Sequence, residues 1–339
     1  MKKKLLKPPA GNGEILFQPA IKKFAVSVLK SSVVGVCHQP YFFNPGVSLK
    51  FLFLEELPAR KKELIFMDTD KVNISARLPF PDGSARTVSF LESENALYDC
   101  PVTEEDGFHK FFSIAENNLK EIFPKDEEGA FLNLLKFKKI ILGKLDKEYL
   151  KEALAESFLE YYGISSEYCF LSDLFLGKEF EKFFMDIYKE ADTFREVFNT
   201  ALAEFKDEYK FRYKNYPFPS LEEGELPFWI IEDGSRKRCF EKDIGEAGFE
   251  NLKVFPRAAT LTIFLRLYKL DLFIHGIGGG NYEWIQDRII ERFFGKTPPL
   301  YAILSGTFLL GDLKERDFSY FLYSPERIKE SVERFWGQV

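Results

Sequence analysis

Residues 32–50 read SVVGVCHQPYFFNPGVSLK and decide the fold class that the sequence predicts. Ser32 to Cys37 is a β-branched run that stops at the polar turn His38-Gln39-Pro40. After Pro45-Gly46, the spacing of apolar residues from Val47 to Leu57 is helical until Pro58 interrupts it. The segment therefore predicts a strand, a polar turn and a helix.

Three further apolar runs predict strands of the same sheet. Glu63 to Met67 ends in Asp68-Thr69-Asp70, Tyr168 to Leu171 follows later, and Asp271 to His275 leads into a glycine-rich turn. Strands that alternate with helices at both ends of the chain indicate an α/β protein with a mainly parallel sheet. We expect strands near residues 33, 65, 169 and 272 to join one sheet.

The texture of the sequence divides the chain into four parts. Residues 1–30 are expected to form a tail and approach, and residues 31–110 the first part of the core, with a hairpin around Pro81-Asp82-Gly83. Residues 111–166 are Lys/Glu-rich and predict a separate helical insertion. Residues 167–339 predict the second part of the core. This part should hold a long helix with an apolar stripe from Phe180 to Phe205, a hairpin around Asp233-Gly234 and a carboxyl-terminal helix.

The composition excludes several functional classes. The net charge of −6, from 47 basic and 53 acidic residues, argues against a general nucleic-acid-binding protein. The four cysteines have no C-x-x-C spacing, which favours neither a disulfide scaffold nor a thiolate zinc site and suits a reducing cytoplasm. No charge-free stretch has the composition of a membrane helix, and no signal peptide is expected.

The first polar turn supplies one group of candidate site residues. His38 could exchange protons near neutral pH, while Gln39, Tyr41 and Asn44 could bind a carboxylate, an amide or a sugar hydroxyl. In open α/β sheets, ligands bind at the carboxyl ends of the strands, where this turn lies. The alternative is a His and a Gln that only hold the turn together.

The second polar turn supplies a pair of acids. Asp68 and Asp70 stand beside Lys71, with Arg77 close behind. Two carboxylates near a lysine could orient an amine nucleophile, accept its proton or hold a divalent ion. The alternative is a charged turn whose aspartates bond to their own backbone. Arg257, at the start of a later helical run, is a further candidate for substrate binding.

The third group follows the late strand. His275 is a candidate catalytic residue, and we expect it to face the same cleft as His38. An anion such as a carboxylate or a nucleotide phosphate is expected at the turn that follows, because glycines let the backbone approach a ligand closely. The predicted anion-binding residues are Gly276, Gly278, Gly279, Asn281 and Tyr282. The turn has Asn281 where a dinucleotide fingerprint needs glycine, so NAD is not expected, and three histidines form no zinc motif.

These motifs resemble those of a known family. His38-Gln39-Pro40-Tyr41-Phe42, with Gly46 and Lys50, and the strand ending in Asp68-Thr69-Asp70 are similar to the opening of WbqC-like proteins. Together with Gly279-Gly280-Asn281-Tyr282, they also resemble the bacillithiol synthases, the cysteine-adding enzymes of bacillithiol biosynthesis. The chain differs in its His38-Gln39-Pro40 turn, where that family has Gly-Gln-Gln, and in ending at Val339 without the family's coiled coil.

The resemblance implies a Rossmann-like core with helical insertions, and a ligase or transferase that attaches an amino acid or acyl unit to an amino sugar. Asp68 or Asp70 would serve the attacking amine. It leaves a homodimer open, but not one formed through the family's coiled coil. Two alternatives stay open: a non-catalytic small-molecule-binding or assembly protein on the same fold, and a nucleotidyltransferase.

Overall fold

A computed structural model describes residues 15–17, 29–40, 45–102, 105–122, 130–209 and 217–306. The strands within these ranges are β1 (Ile15–Phe17), β2 (Val33–His38), β3 (Lys61–Phe66), β4 (Lys71–Pro79), β5 (Ala85–Ala96), β6 (Tyr168–Phe170), β7 (Glu225–Glu232), β8 (Ser235–Phe240), β9 (Lys253–Pro256), β10 (Leu272–His275) and β11 (Leu300–Gly306). The helices are α1 (Pro45–Glu56), α2 (Glu105–Ile122), α3 (Ala130–Leu142), α4 (Leu150–Tyr162), α5 (Leu171–Leu174), α6 (Lys178–Lys189), α7 (Ala191–Tyr209), α8 (Glu241–Ala247), α9 (Ala258–Tyr268), α10 (Ile277–Gly280) and α11 (Glu283–Arg292).

Six strands form one sheet in the order β1-β11-β10-β2-β3-β6. The five strands from β11 to β6 are parallel, and β1 is antiparallel to β11. Counted along the chain, the parallel strands lie in the order 3-2-1-4-5, which is compatible with a Rossmann-like fold. The predicted α/β class and the mainly parallel sheet with strands near residues 33, 65, 169 and 272 are confirmed.

Alternate residues of the sheet pack into two cores, one on each face. Val34 and Phe66 lie on the first face, in a core shared with α1 to α4 and the β4–β5 hairpin. Ile65 and Phe273 lie on the second face, in a core shared with α6, α7, α9, α11 and the strands β7 to β9. Helices α2 to α4 therefore belong to the sheet's own core. The separate helical lobe predicted for residues 111–166 is wrong, because the apolar faces of these helices are buried in one cluster with the strands.

The predicted long helix is two helices. The chain leaves helical geometry at Glu190, where φ is −124° and ψ is 40°, between α6 and α7. The apolar stripe nevertheless continues across the break, since Phe184 and Phe194 are both fully buried in the second core. The interpretation of the stripe as a packing face is confirmed.

Both predicted hairpins form, as β4–β5 and β7–β8. In the second hairpin Asp233 and Gly234 both have positive φ, 50° and 75°, as a two-residue type I′ turn requires. None of the described helices is both long and apolar enough to cross a membrane. Most of the tail at residues 1–30 and the predicted carboxyl-terminal helix lie outside the described residues.

Candidate functional site

A cavity of about 420 Å³ lies beyond the carboxyl ends of β2 and β3. The strand ends contribute Gln39, Met67, Thr69 and Asp70, the β7–β8 hairpin contributes Trp229 and Arg236, and the start of α9 contributes residues 257–261. The rest of the wall is apolar and consists of Phe198, Phe218, Pro219, Leu221, Pro227 and Pro256. A mainly apolar pocket of this size with a few converging polar groups suits a small molecule.

Asp70 is the acid that faces this cavity. One of its carboxylate oxygens accepts a hydrogen bond from Gln39 Nε2 at 2.5 Å, and the other accepts one from Arg236 Nη1 at 2.7 Å. The side chains of Asp70 and Arg236 keep 32% and 24% of their exposure, so both remain open to a ligand. The structure thus brings together two predicted residues, Gln39 and Asp70, from two different strand ends.

Asp68 does not line the cavity. Its fully buried carboxylate accepts hydrogen bonds from the backbone N–H of Ser172, at 3.0 Å, and from the Ser172 hydroxyl. Lys151 Nζ lies 3.4 Å from the same carboxylate. Burial raises the pKa of Asp68 above its ordinary value, against the opposing effect of the bonds from Ser172. The structure therefore separates the two acids that the sequence treated as a pair.

Arg257 lies in the cavity wall, at the N-cap of α9. Its guanidinium donates to Glu225 Oε1 at 2.6 Å and to the carbonyl of Phe228 at 3.2 Å. It also stands 4.4 Å from the centroid of the Trp229 ring. These contacts fix one positive charge beside a flat aromatic side chain.

His38 lies on the first face of the sheet, because strand alternation places it with Val34 and Val36. Burial, helped by the charge of Lys50, lowers the pKa of His38 to about 3. The imidazole is therefore neutral at physiological pH, and it does not line the cavity. Nothing in this placement makes His38 a proton donor to a ligand there.

His275 lies on the second face, with Phe273, whose ring centroid is 4.0 Å away. The two histidines end strands that pair in parallel, as predicted, but their side chains leave opposite faces of the sheet. The prediction that they face one cleft is wrong. His275 Nε2 instead lies 2.6 Å from Glu283 Oε1, and the same carboxylate pairs with the fully buried Arg266.

The glycine-rich turn is not part of the cavity wall. Residues 277–280 form the short helix α10, which packs on β10 and β11. A Cβ atom at Gly279 would lie 2.5 Å from His275 Nδ1, and one at Gly280 would lie 2.3 Å from the Ile303 side chain. Close packing therefore accounts for these two glycines, whereas the sequence analysis assigned the turn to anion binding.

The other predicted residues have no demonstrated place in the cavity. Lys71 is exposed at the start of β4, and the backbone of Arg77 lies within that strand. Tyr41 and Asn44 lie outside the described residues. The residues of the glycine turn that do not line the cavity are Gly276, Gly278, Gly279, Asn281 and Tyr282.

Arg236 and Trp229 are site residues that the sequence analysis missed. Both belong to the hairpin that the Asp233-Gly234 turn predicts, and Arg236 stands 5.6 Å from the centroid of the Trp229 ring. An aromatic residue and a cation on the same side of a predicted hairpin were the available signal. Their partner Asp70 lies 166 residues away, which no local pattern shows.

Among the described residues, no group of three or more His, Cys, Asp or Glu side chains is placed to hold a metal ion. No family model, curated protein or solved structure matches this chain.

Proposed function

We propose that this protein is a ligase or transferase that attaches an amino acid or acyl unit to the amine of an amino sugar, with the reactants bound in the cavity at Asp70. The observation that carries the proposal is the placement of the Asp70 carboxylate. It opens into a pocket for a small molecule, at the carboxyl edge of a parallel sheet, and Gln39 and Arg236 hold it in position.

The proposed chemistry follows from these side chains. The amine of the acceptor donates a hydrogen bond to Asp70, and Gln39, whose amide nitrogen is occupied by Asp70, offers its carbonyl oxygen. The amine nitrogen forms a bond to the acyl carbon, the leaving group departs from that carbon, and Asp70 takes the proton. The flat side chain of Trp229 provides an apolar wall for a sugar ring.

The test is a thermal-shift screen of amino acids, glucosamine and nucleotides against the wild type, Asp70→Asn and Asp68→Asn. A ligand at a hundred times its dissociation constant stabilises the protein by about 2.7 kcal/mol. We expect glucosamine to stabilise the wild type and Asp68→Asn, but not Asp70→Asn. Asp68 is the matched control because it is a neighbouring aspartate that does not line the cavity. Equal stabilisation of all three proteins would contradict the role of Asp70.

A non-catalytic binding protein is the second candidate. The observation that favours it is that the ionisable groups of the cavity wall already have protein partners, Asp70 with Arg236 and Arg257 with Glu225. Mass spectrometry of a mixture of glucosamine, ATP and amino acids separates the two functions. A new amide product that depends on Asp70 supports the enzyme, and binding without any product supports the binding protein.

A further inference from the structure

The first turn of α9 forms part of the cavity wall through Ala258, Ala259 and Thr260. The backbone N–H groups of these three residues have no acceptor within the helix, because the first intrahelical bond runs from Leu261 N to Arg257 O. No side chain caps this end of the helix either. An 11-residue helix thus presents its positive end to the cavity.

The hydroxyl of Thr260 is an independent observation at the same place. The residue is 0% exposed, and its Oγ1 has no hydrogen-bond partner among the described residues. Thr262, two residues later, bonds the carbonyls of Ala258 and Ala259 at 3.2 and 3.0 Å. Thr260 stands too early in the helix for this, since the residue four positions before it, Pro256, belongs to β9. A buried unpaired hydroxyl costs free energy, which a ligand that bonds it would remove.

The charges in the wall have the sign that suits an anion. The ionisable residues lining the cavity are Arg236, Arg257 and Asp70, two cations and one anion. Arg257 is the N-cap residue of α9 itself, so one guanidinium lies next to the unpaired N–H groups. Asp70 pairs with Arg236, from the β7–β8 hairpin.

We infer that the first turn of α9 is an oxyanion subsite, and that the molecule bound in the cavity carries a carboxylate or a phosphate held by these N–H groups and the Thr260 hydroxyl. The inference rests on the proposed function, because it assigns the charged end of the substrate that reacts at Asp70. It also moves the anion site from the glycine turn at residues 276–281, where it was predicted, to a different helix.

The test measures binding of inorganic phosphate and of acetate by titration calorimetry at constant ionic strength. We expect saturable binding of one of them, and the preferred anion tells a phosphate ester from a carboxylate. Thr260→Val should weaken that binding about tenfold or more, the loss expected for a hydrogen bond to a charged group. The same change should raise the melting temperature of the ligand-free protein, since it removes an unpaired buried hydroxyl. Thr260→Ser should restore the binding.

Two further variants complete the test. Thr262→Val is the matched control on the same helix and should bind like the wild type. Ala258→Pro removes one N–H at the first helical position, where proline is tolerated. The preceding Arg257 already has φ −74° and ψ 164°, as a residue before proline requires. This variant should bind more weakly while it remains folded.

Wild-type affinity in both Thr260→Val and Ala258→Pro would overturn the subsite. So would the absence of saturable binding of either anion to the wild type. In both cases, Asp70-dependent binding of glucosamine would still stand, so that the two proposals fail separately.

Discussion

Replacing Arg266 by methionine should destabilise the protein strongly. The side chain of Arg266 is 0% exposed, and its guanidinium pairs with Glu283 and, at 2.6 Å, with Asp287. It also donates to the carbonyl of Pro299. Glu283 is itself 0% exposed and keeps only His275, at 2.6 Å, if Arg266 is removed. The substitution therefore leaves a buried carboxylate short of one positive partner.

Breaking a buried ion pair by removing one partner typically costs about 3–5 kcal/mol. For a chain of this size, 1 kcal/mol lowers the melting temperature by roughly 2–4 °C, so we expect a fall of roughly 6–15 °C. Urea denaturation and calorimetry measure both quantities. The matched control is Arg288→Met on α11, whose pair with Glu291 is about half exposed and should contribute less than about 1 kcal/mol.

The pH dependence provides a second readout. Burial opposes ionisation of Glu283, but the charges of His275 and Arg266 together hold its pKa below the ordinary 4.5. The stabilisation by the ionised carboxylate is thus present above pH 4.5 and is lost as the pH falls through the lowered pKa of the folded protein. The destabilisation by Arg266→Met should be largest near neutrality and shrink in acid. A loss below about 1 kcal/mol, or one that grows in acid, would refute this reasoning.

Three further predictions concern packing and buried groups. Gly280→Ala should cost about 1–3 kcal/mol in urea denaturation, because its Cβ would meet Ile303, whereas Gly278→Ala, with no atom within 4 Å, should be neutral or stabilising; equal effects would contradict the packing account. His38→Asn should lose less stability than the wild type between pH 6.5 and about 3, because burial and the charge of Lys50 lower the pKa of His38, so that protonation disfavours the folded state; parallel pH profiles would exclude this. Burial raises the pKa of Cys169 and that of Cys239 to about 12, so iodoacetamide should label these thiols over about a hundredfold more slowly in the native than in the unfolded protein, and leave ligand binding intact; rapid native labelling by mass spectrometry would contradict it.

The sequence alone determined the elements whose signals are local. The β-branched run at residues 33–37 predicts β2 because adjacent residues carry the preference for an extended backbone. Asp233-Gly234 predicts the β7–β8 hairpin because positive φ is a property of the turn residues themselves. The parallel sheet followed from the alternation of such strands with helices.

Only the tertiary structure decided which of the candidate side chains meet. Asp68 and Asp70 stand two residues apart and look equivalent in sequence, yet Ser172 takes one and Arg236 the other. His38 and His275 end neighbouring strands, but the register of the two strands sends them to opposite faces. Each outcome depends on contacts between residues far apart in the chain, and such contacts leave no periodic or compositional mark in either segment.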